Sequence, residues 1–186
     1  MRADAARNLE AVLTTGARIL AIEPGATIAS IAAEAGVDRR TVYRRFASRE
    51  ELLAAIHTAR LEAIEAAIED ARLREAPVVV ALHRYVENII GVNRTWPVDL
   101  SLMLTDDVVR HRRDACITAV DVFLARARDE GLLRPGPAEG WARVLLPHLL
   151  ILASHQQAHL SPGEAADLAV DTFLHGIGGP RVSRMT

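Results

Sequence analysis

Lysine does not occur in this sequence; all 22 of its basic side chains are arginine. The plainest reason is compositional bias in the coding DNA, so the absence alone assigns no function. Cysteine is reduced to Cys116, which excludes an intrachain disulfide framework and suits a reducing compartment. Aromatic residues make up 4% of the chain while 50% of it is hydrophobic. That mix, rich in alanine, leucine and valine, favours helices packed through small side chains over a β-sandwich. No apolar run is long enough to span a bilayer, since the longest, VLLPHLLILA, is interrupted by Pro147 and His148. The first residues carry Arg2, Asp4, Arg7 and Glu10 where a secretory leader would have an apolar core. A soluble, cytoplasmic protein without a membrane partner is expected.

Enzymatic signatures are missing as well. There is no P-loop and no G-x-S-x-G elbow, and the GIGG at 176–179 follows a helix near the C-terminus rather than linking a strand to a helix. His155 and His159 share the i, i+4 spacing of a helical metal pair but have no third ligand nearby, so no metal site and no cofactor are assigned. Cys116 sits in an apolar stretch and reads as a small buried hydrophobe rather than a nucleophile.

What is present is helical periodicity almost throughout. A first helix is expected from Ala3 to Ala21, ended by EPGA. Thr27 caps a short second helix, closed by Gly36. Asp38 caps a third, and Ser48 a fourth that runs from Arg49 to about Arg74. SREE should form a capping box in which Ser48 reaches the N3 amide and Glu51 returns to the Ser48 amide. Further helices are expected over 77–92, 97–104, 107–130, 138–160 and 162–176. The fold class is all-α.

Charge is divided unevenly along this frame. Residues 1–49 hold eight arginines against five acids, whereas residues 50–186 hold fourteen against nineteen. Within the basic end, IAAEAGVDRRTVYRRF (31–46) places four arginines, a tyrosine and a threonine directly after the Gly36 turn. A helix, a glycine turn and a second helix form a helix-turn-helix, whose second helix can lie in the major groove of DNA. At about 100° per residue, Val42 and Phe46 share an inward face, and Arg40 and Arg44 fall opposite to them. Arginine's planar fork can bond guanine O6 and N7 together. Tyr43, Thr41 and arginines at the groove edge can bond phosphate, and the start of the fourth helix beside Arg49 offers amides for another phosphate.

The stretch TIASIAAEAGVDRRTVYRRFASREELL (27–53) resembles the DNA-binding signature of the TetR family of transcriptional regulators. That pattern runs T-x-x-x-I-A-x-x-A-G-V-S-x-x-T-L-Y-x-H-F-x-x-K-x-x-L. It is met here by Thr27, Ile31, Ala32, Ala35, Gly36, Val37, Thr41, Tyr43, Phe46 and Leu52 or Leu53. Asp38 replaces serine as the cap, Arg45 replaces histidine and Arg49 replaces lysine, all of which keep capping ability or charge. Arg40, at a site often held by a small residue, would alter which bases are read. By position, the resemblance implies that Thr27, Tyr43, Arg45 and Arg49 grip phosphates while Arg39, Arg40, Thr41 and Arg44 approach base edges.

It further implies a DNA-binding domain over 1–47, a helical ligand-binding and dimerisation domain over 48–180, and a tail over 181–186. The expected function is a homodimeric repressor on a palindromic double-stranded operator, released by an unidentified small-molecule effector, and not an enzyme. The fourth helix would be the lever between effector and DNA. For the effector pocket the candidates are Tyr85, Trp96, Met103, Cys116, Phe123 and His148, with His83 behind them. For the dimer interface they are Trp141, Val144, Leu145, Leu149 and Leu152 on the penultimate helix and Leu168, Val170, Phe173 and Leu174 on the last. Two alternatives stay open: an activator or ligand-independent regulator of the same fold, or a small-molecule-binding helical protein whose helix-turn-helix is vestigial.

Overall fold

The computed structural model describes residues 2–98, 107–134, 138–155 and 159–177. Its described elements are eight α-helices: α1 (Arg2–Ile22), α2 (Ile28–Glu34), α3 (Arg39–Arg45), α4 (Arg49–Ala71), α5 (Val78–Thr95), α6 (Asp107–Asp129), α7 (Ala138–His155) and α8 (Pro162–Ile177). The valine-rich 77–82 stretch is helical, as its three-to-four-residue period requires. Residues 96–98 are not helical, and the rest of the expected 97–104 helix, the end of the expected 138–160 helix at 156–158 and the expected tail lie outside the described residues.

Two compact units result, one from Met1–Glu62 and Thr95–Arg110, the other from Ala63–Arg94 and His111–Thr186. In the first, Val12, Ala17 and Leu20 of α1 close over Ile28, Ile31 and Ala32 of α2, Val42 and Phe46 around α3, and Leu52 and Ile56 of α4. Gly16 belongs to this contact, because a Cβ there would lie 2.8 Å from the Ile56 Cδ1. Arg60 donates to the carbonyls of Trp96 and Val98 and so pins that segment to the same unit.

The second unit has its own core, with Leu82, Val86 and Ile90 of α5, Phe123 and Leu124 of α6, Leu146 and Leu150 of α7, and Ala166, Val170 and Phe173 of α8. A capping box starts α8. The Glu164 amide donates to the Ser161 hydroxyl at 3.2 Å, and the Ser161 amide donates back to the Glu164 carboxylate at 2.8 Å. The Ser161 amide first, and the Ser161 hydroxyl at 2.7 Å second, donate to the Glu164 carboxylate and hold that carboxyl below the usual range.

α4 stops three residues short of the expected Arg74. Arg72 adopts a left-handed φ of 51°, a conformation that a glycine would take at lower cost. Arg126 of α6 holds the turn that follows, donating to the carbonyls of Leu73 at 2.8 Å and Ala76 at 2.7 Å. A distant arginine, absent from any local pattern, thus satisfies two carbonyls of the turn that follows the helix.

Candidate nucleic-acid interface

The candidate reading surface is assembled from caps and one turn. Thr27 accepts from the Ser30 amide at 3.1 Å, and the Ser30 hydroxyl accepts from the Thr27 amide at the same distance, so α2 begins on a closed box. At its other end Gly36 takes a φ of +66°, and the Val37 amide reaches back to the Ala32 carbonyl at 3.0 Å. The left-handed residue followed by this return bond lets the chain reverse within two residues. Asp38 then receives the amides of Arg40 at 2.9 Å and Thr41 at 3.2 Å and starts α3. Asp38→Ala should cost about 1 kcal/mol, the usual value of such a cap, measurable as a lowered unfolding midpoint.

With its ends fixed, α3 has one orientation. Val42 and Phe46 are buried, Thr41 is half-buried, and Arg39, Arg40, Tyr43, Arg44 and Arg45 are exposed. The Arg39 guanidinium lies 5.1 Å from the centre of the Tyr43 ring, a cation–π contact that restrains both side chains. This i, i+4 pairing was open to sequence reasoning, which did not draw it. Beside α3, a cleft of about 470 Å³ separates it from the first turns of α1, lined among others by Leu9, Val12, Phe46, Arg44 and Arg45.

The start of α4 differs from the expected phosphate site. Arg49 turns inward, its guanidinium donating to the Ala26 carbonyl at 3.3 Å and also to the Pro24 carbonyl. It fastens the α1–α2 turn to α4. The Glu51 amide donates to the Ser48 hydroxyl at 3.2 Å as expected, but the Glu51 carboxylate receives the Ala47 amide at 2.8 Å, one residue earlier than the expected Ser48. Glu50 has its carboxyl held below the ordinary range by its own backbone amide first and the Ser48 hydroxyl second. Carboxylates of the chain itself therefore occupy the positive end of α4.

Only part of the expected pocket set comes together in the second unit. Tyr85 and Phe123 are buried in one core. Cys116 lies within electrostatic range of Tyr85, whose hydroxyl is pushed well above its ordinary range by burial first and by Cys116 second. The Cys116 thiol is itself raised by burial and by Glu65, against the pull of Arg112. Arg112 holds Glu65 with two bonds of 2.9 and 2.6 Å. Trp96 belongs instead to the first unit, packed against its core. His148 is exposed on α7, its Nδ1 2.7 Å from the Val144 carbonyl. Met103 lies outside the described residues. His83 is 2.7 Å from Asp167 of α8 and joins helices at the surface.

The expected dimer residues divide in a similar way. On α7, Trp141, Val144 and Leu152 are exposed together with Ile151, and on α8 so is Leu168. Leu145 and Leu149 are half-buried against the core, while Val170, Phe173 and Leu174 are part of it. The physical reason lies in angular placement. At about 100° per residue, Ala142, Leu146, Leu150 and Ala153 form the inner face of α7, and Leu145 and Leu149 fall on its boundary. The outward face of α8 is Leu168, Asp171, Thr172 and His175.

Comparison with known proteins agrees with this geometry. The profile of bacterial regulatory proteins of the tetR family matches residues 17–56, which span the helix-turn-helix. The HTH-type transcriptional repressor LfrR of Mycolicibacterium smegmatis is 34% identical over 142 residues, covering 74% of this chain and 72% of that protein. The crystal structure of LfrR from Mycobacterium smegmatis in complex with proflavine superposes with a TM-score of 0.70 at 28% identity, covering 92% of this chain and 97% of the other. KstR2 of Mycobacterium tuberculosis shares the fold alone, with a TM-score of 0.72 at 17% identity and coverage of 90% and 93%. Among the described residues no helix is long and apolar enough to cross a membrane. The glycine turn, the buried anchors of α3 and this kinship together make the chain a member of the TetR family of DNA-binding transcriptional regulators, which are not enzymes.

Proposed function

We propose that this protein is a cytoplasmic homodimeric repressor that binds a palindromic operator and leaves it when a small molecule binds. The observation that carries this reading is the division of α3, with Val42 and Phe46 buried on one side and arginines exposed on the other. Residues 1–47 form the DNA-binding domain and 48–180 the ligand-binding and dimerisation domain, followed by a tail over 181–186. Arg39, Arg40, Thr41 and Arg44 approach base edges. Thr27, Tyr43 and Arg45 grip phosphates, and Arg49 assists by holding the α1–α2 turn behind them. The exposed apolar face of α7, with Leu168 of α8, supplies the dimer contact. LfrR, a repressor by name, has been crystallised with proflavine, which supports release by a small organic effector here. Tyr85, Cys116 and Phe123 are the effector-facing residues, and α4, which contributes residues to both units, carries the response.

The test is fluorescence anisotropy with the duplex lying upstream of the protein's own gene. The logarithm of affinity should fall linearly with that of salt concentration, at a slope of about −0.9 for each phosphate neutralised. The same duplex should be preferred over a scrambled one at every salt concentration. Equal affinity for both duplexes would remove the operator reading, and a vestigial helix-turn-helix would show no salt-dependent binding at all.

A further inference from the structure

The cleft of about 470 Å³ between α3 and the first turns of α1 is lined by residues of the first unit alone. Its lining divides by chemistry. Val12, Val42 and Phe46 are buried members of that unit's core, so the apolar part of the cleft is held in place. Leu9 and Val37 extend it, half-buried, and Ala5 and Ala6 contribute methyl groups only. Arg44 and Arg45 supply the charge. Both are exposed, and among the described residues neither guanidinium has an ion pair or a hydrogen bond. Other arginines of the unit are engaged: Arg7 pairs with Asp4, Arg18 with Glu34, and Arg49 with a backbone carbonyl. The described lining holds no acidic residue. Since arginine stays protonated, its two positive charges are unopposed there.

We propose that this cleft is a second ligand site, one that takes a small aliphatic carboxylate. The volume falls within the range of about 300–1,000 Å³ that houses small organic ligands. Phe46 is the single aromatic residue in the described lining, so the surface suits an alkyl chain better than a stacked ring. Guanidinium forks match the two oxygens of a carboxylate, and the charge excludes a cationic amphiphile. The alkyl chain covers Leu9, Val12 and Phe46 while the head group engages Arg44 and Arg45. An occupant of this kind withdraws from DNA two arginines that the proposed function places on base edges and phosphate. That consequence rests on the operator reading, whereas the site itself does not. The competition acts at the reading head directly, apart from any response carried by α4.

Methyl NMR of the full chain without DNA tests the site, with octanoate, acetate and octyltrimethylammonium as probes at constant ionic strength. Octanoate should saturate at one per chain and shift the methyl signals of Leu9, Val37 and Val42. Acetate should bind several-fold more weakly for want of the chain, and the cation should leave these signals unmoved. Arg44→Gln and Arg45→Gln should each weaken octanoate several-fold, and together by about tenfold or more, as charge-assisted bonds are lost. Arg18→Gln removes the same charge from the first unit outside the cleft and should leave octanoate binding unchanged. Fluorescence anisotropy then reads the competition, in which octanoate should raise the apparent Kd for the operator duplex several-fold. Octanoate that shifts only methyls of the second unit overturns the site, as does binding that ignores the Arg44 and Arg45 replacements. A filled cleft with an unchanged Kd for a selectively bound duplex overturns the competition. A duplex bound no better than a scrambled one before octanoate is added counts against the operator reading instead, and the NMR result stands apart from it.

Discussion

Replacing both Arg40 and Arg44 with alanine is expected to abolish the distinction between operator and scrambled DNA while leaving the fold intact. The two side chains lie on the face of α3 opposite Val42 and Phe46, and both are exposed. Neither contributes to the core, so the unfolding midpoint should stay near that of the natural protein, within the roughly 0.5 kcal/mol usual for surface changes. A bidentate contact to guanine is worth about 1–3 kcal/mol of discrimination, hence a loss of about tenfold or more in the ratio of affinities for each arginine. Tyr43→Phe should act differently. It removes a hydroxyl suited to phosphate, so both duplexes should weaken alike. Competition binding with the two duplexes reads both outcomes. A double variant that keeps full selectivity would show that these arginines do not read bases.

Phe173→Ala is expected to destabilise the protein by about 3–5 kcal/mol, the cost of removing a buried phenyl ring and leaving a cavity. The residue is 1% exposed and packs within the second unit's core. Leu168→Glu combined with Leu152→Glu is the contrasting change, since these residues are 48% and 54% exposed on α8 and α7. That pair should leave chemical denaturation of the separated chain nearly unchanged, yet shift the protein to monomer in sedimentation and lower operator affinity, because two half-sites then bind independently. If Phe173→Ala changed assembly without changing stability, the inward placement of Phe173 would be wrong.

How far the sequence revealed this molecule depended on whether a signal was local. α3 was legible because each of its determinants lies within ten residues: Gly36 for the turn, Asp38 for the cap, Val42 and Phe46 for the inner face. The end of α4 was not, because Arg72 takes the left-handed position without being glycine and the bonds that hold its turn come from Arg126 on another helix. The inner face of α7 was blurred because leucine occupies its boundary as well as its centre, so period alone could not separate Leu145 from Leu146. The inward turn of Arg49 was hidden for a different reason. A basic residue at the start of a helix beside a DNA-reading element suits phosphate and a backbone carbonyl equally, and only the fold of the α1–α2 turn decides between them.

The exposed face of α3 carries arginine at four positions and lysine at none. Guanidinium holds its proton beyond any pH at which a protein of this kind stays folded. Acylation, which erases the charge of lysine amines, has no side chain to act on here. The positive field of this exposed face is therefore permanent. Salt can screen that field, but no capping of lysine amines can erase it.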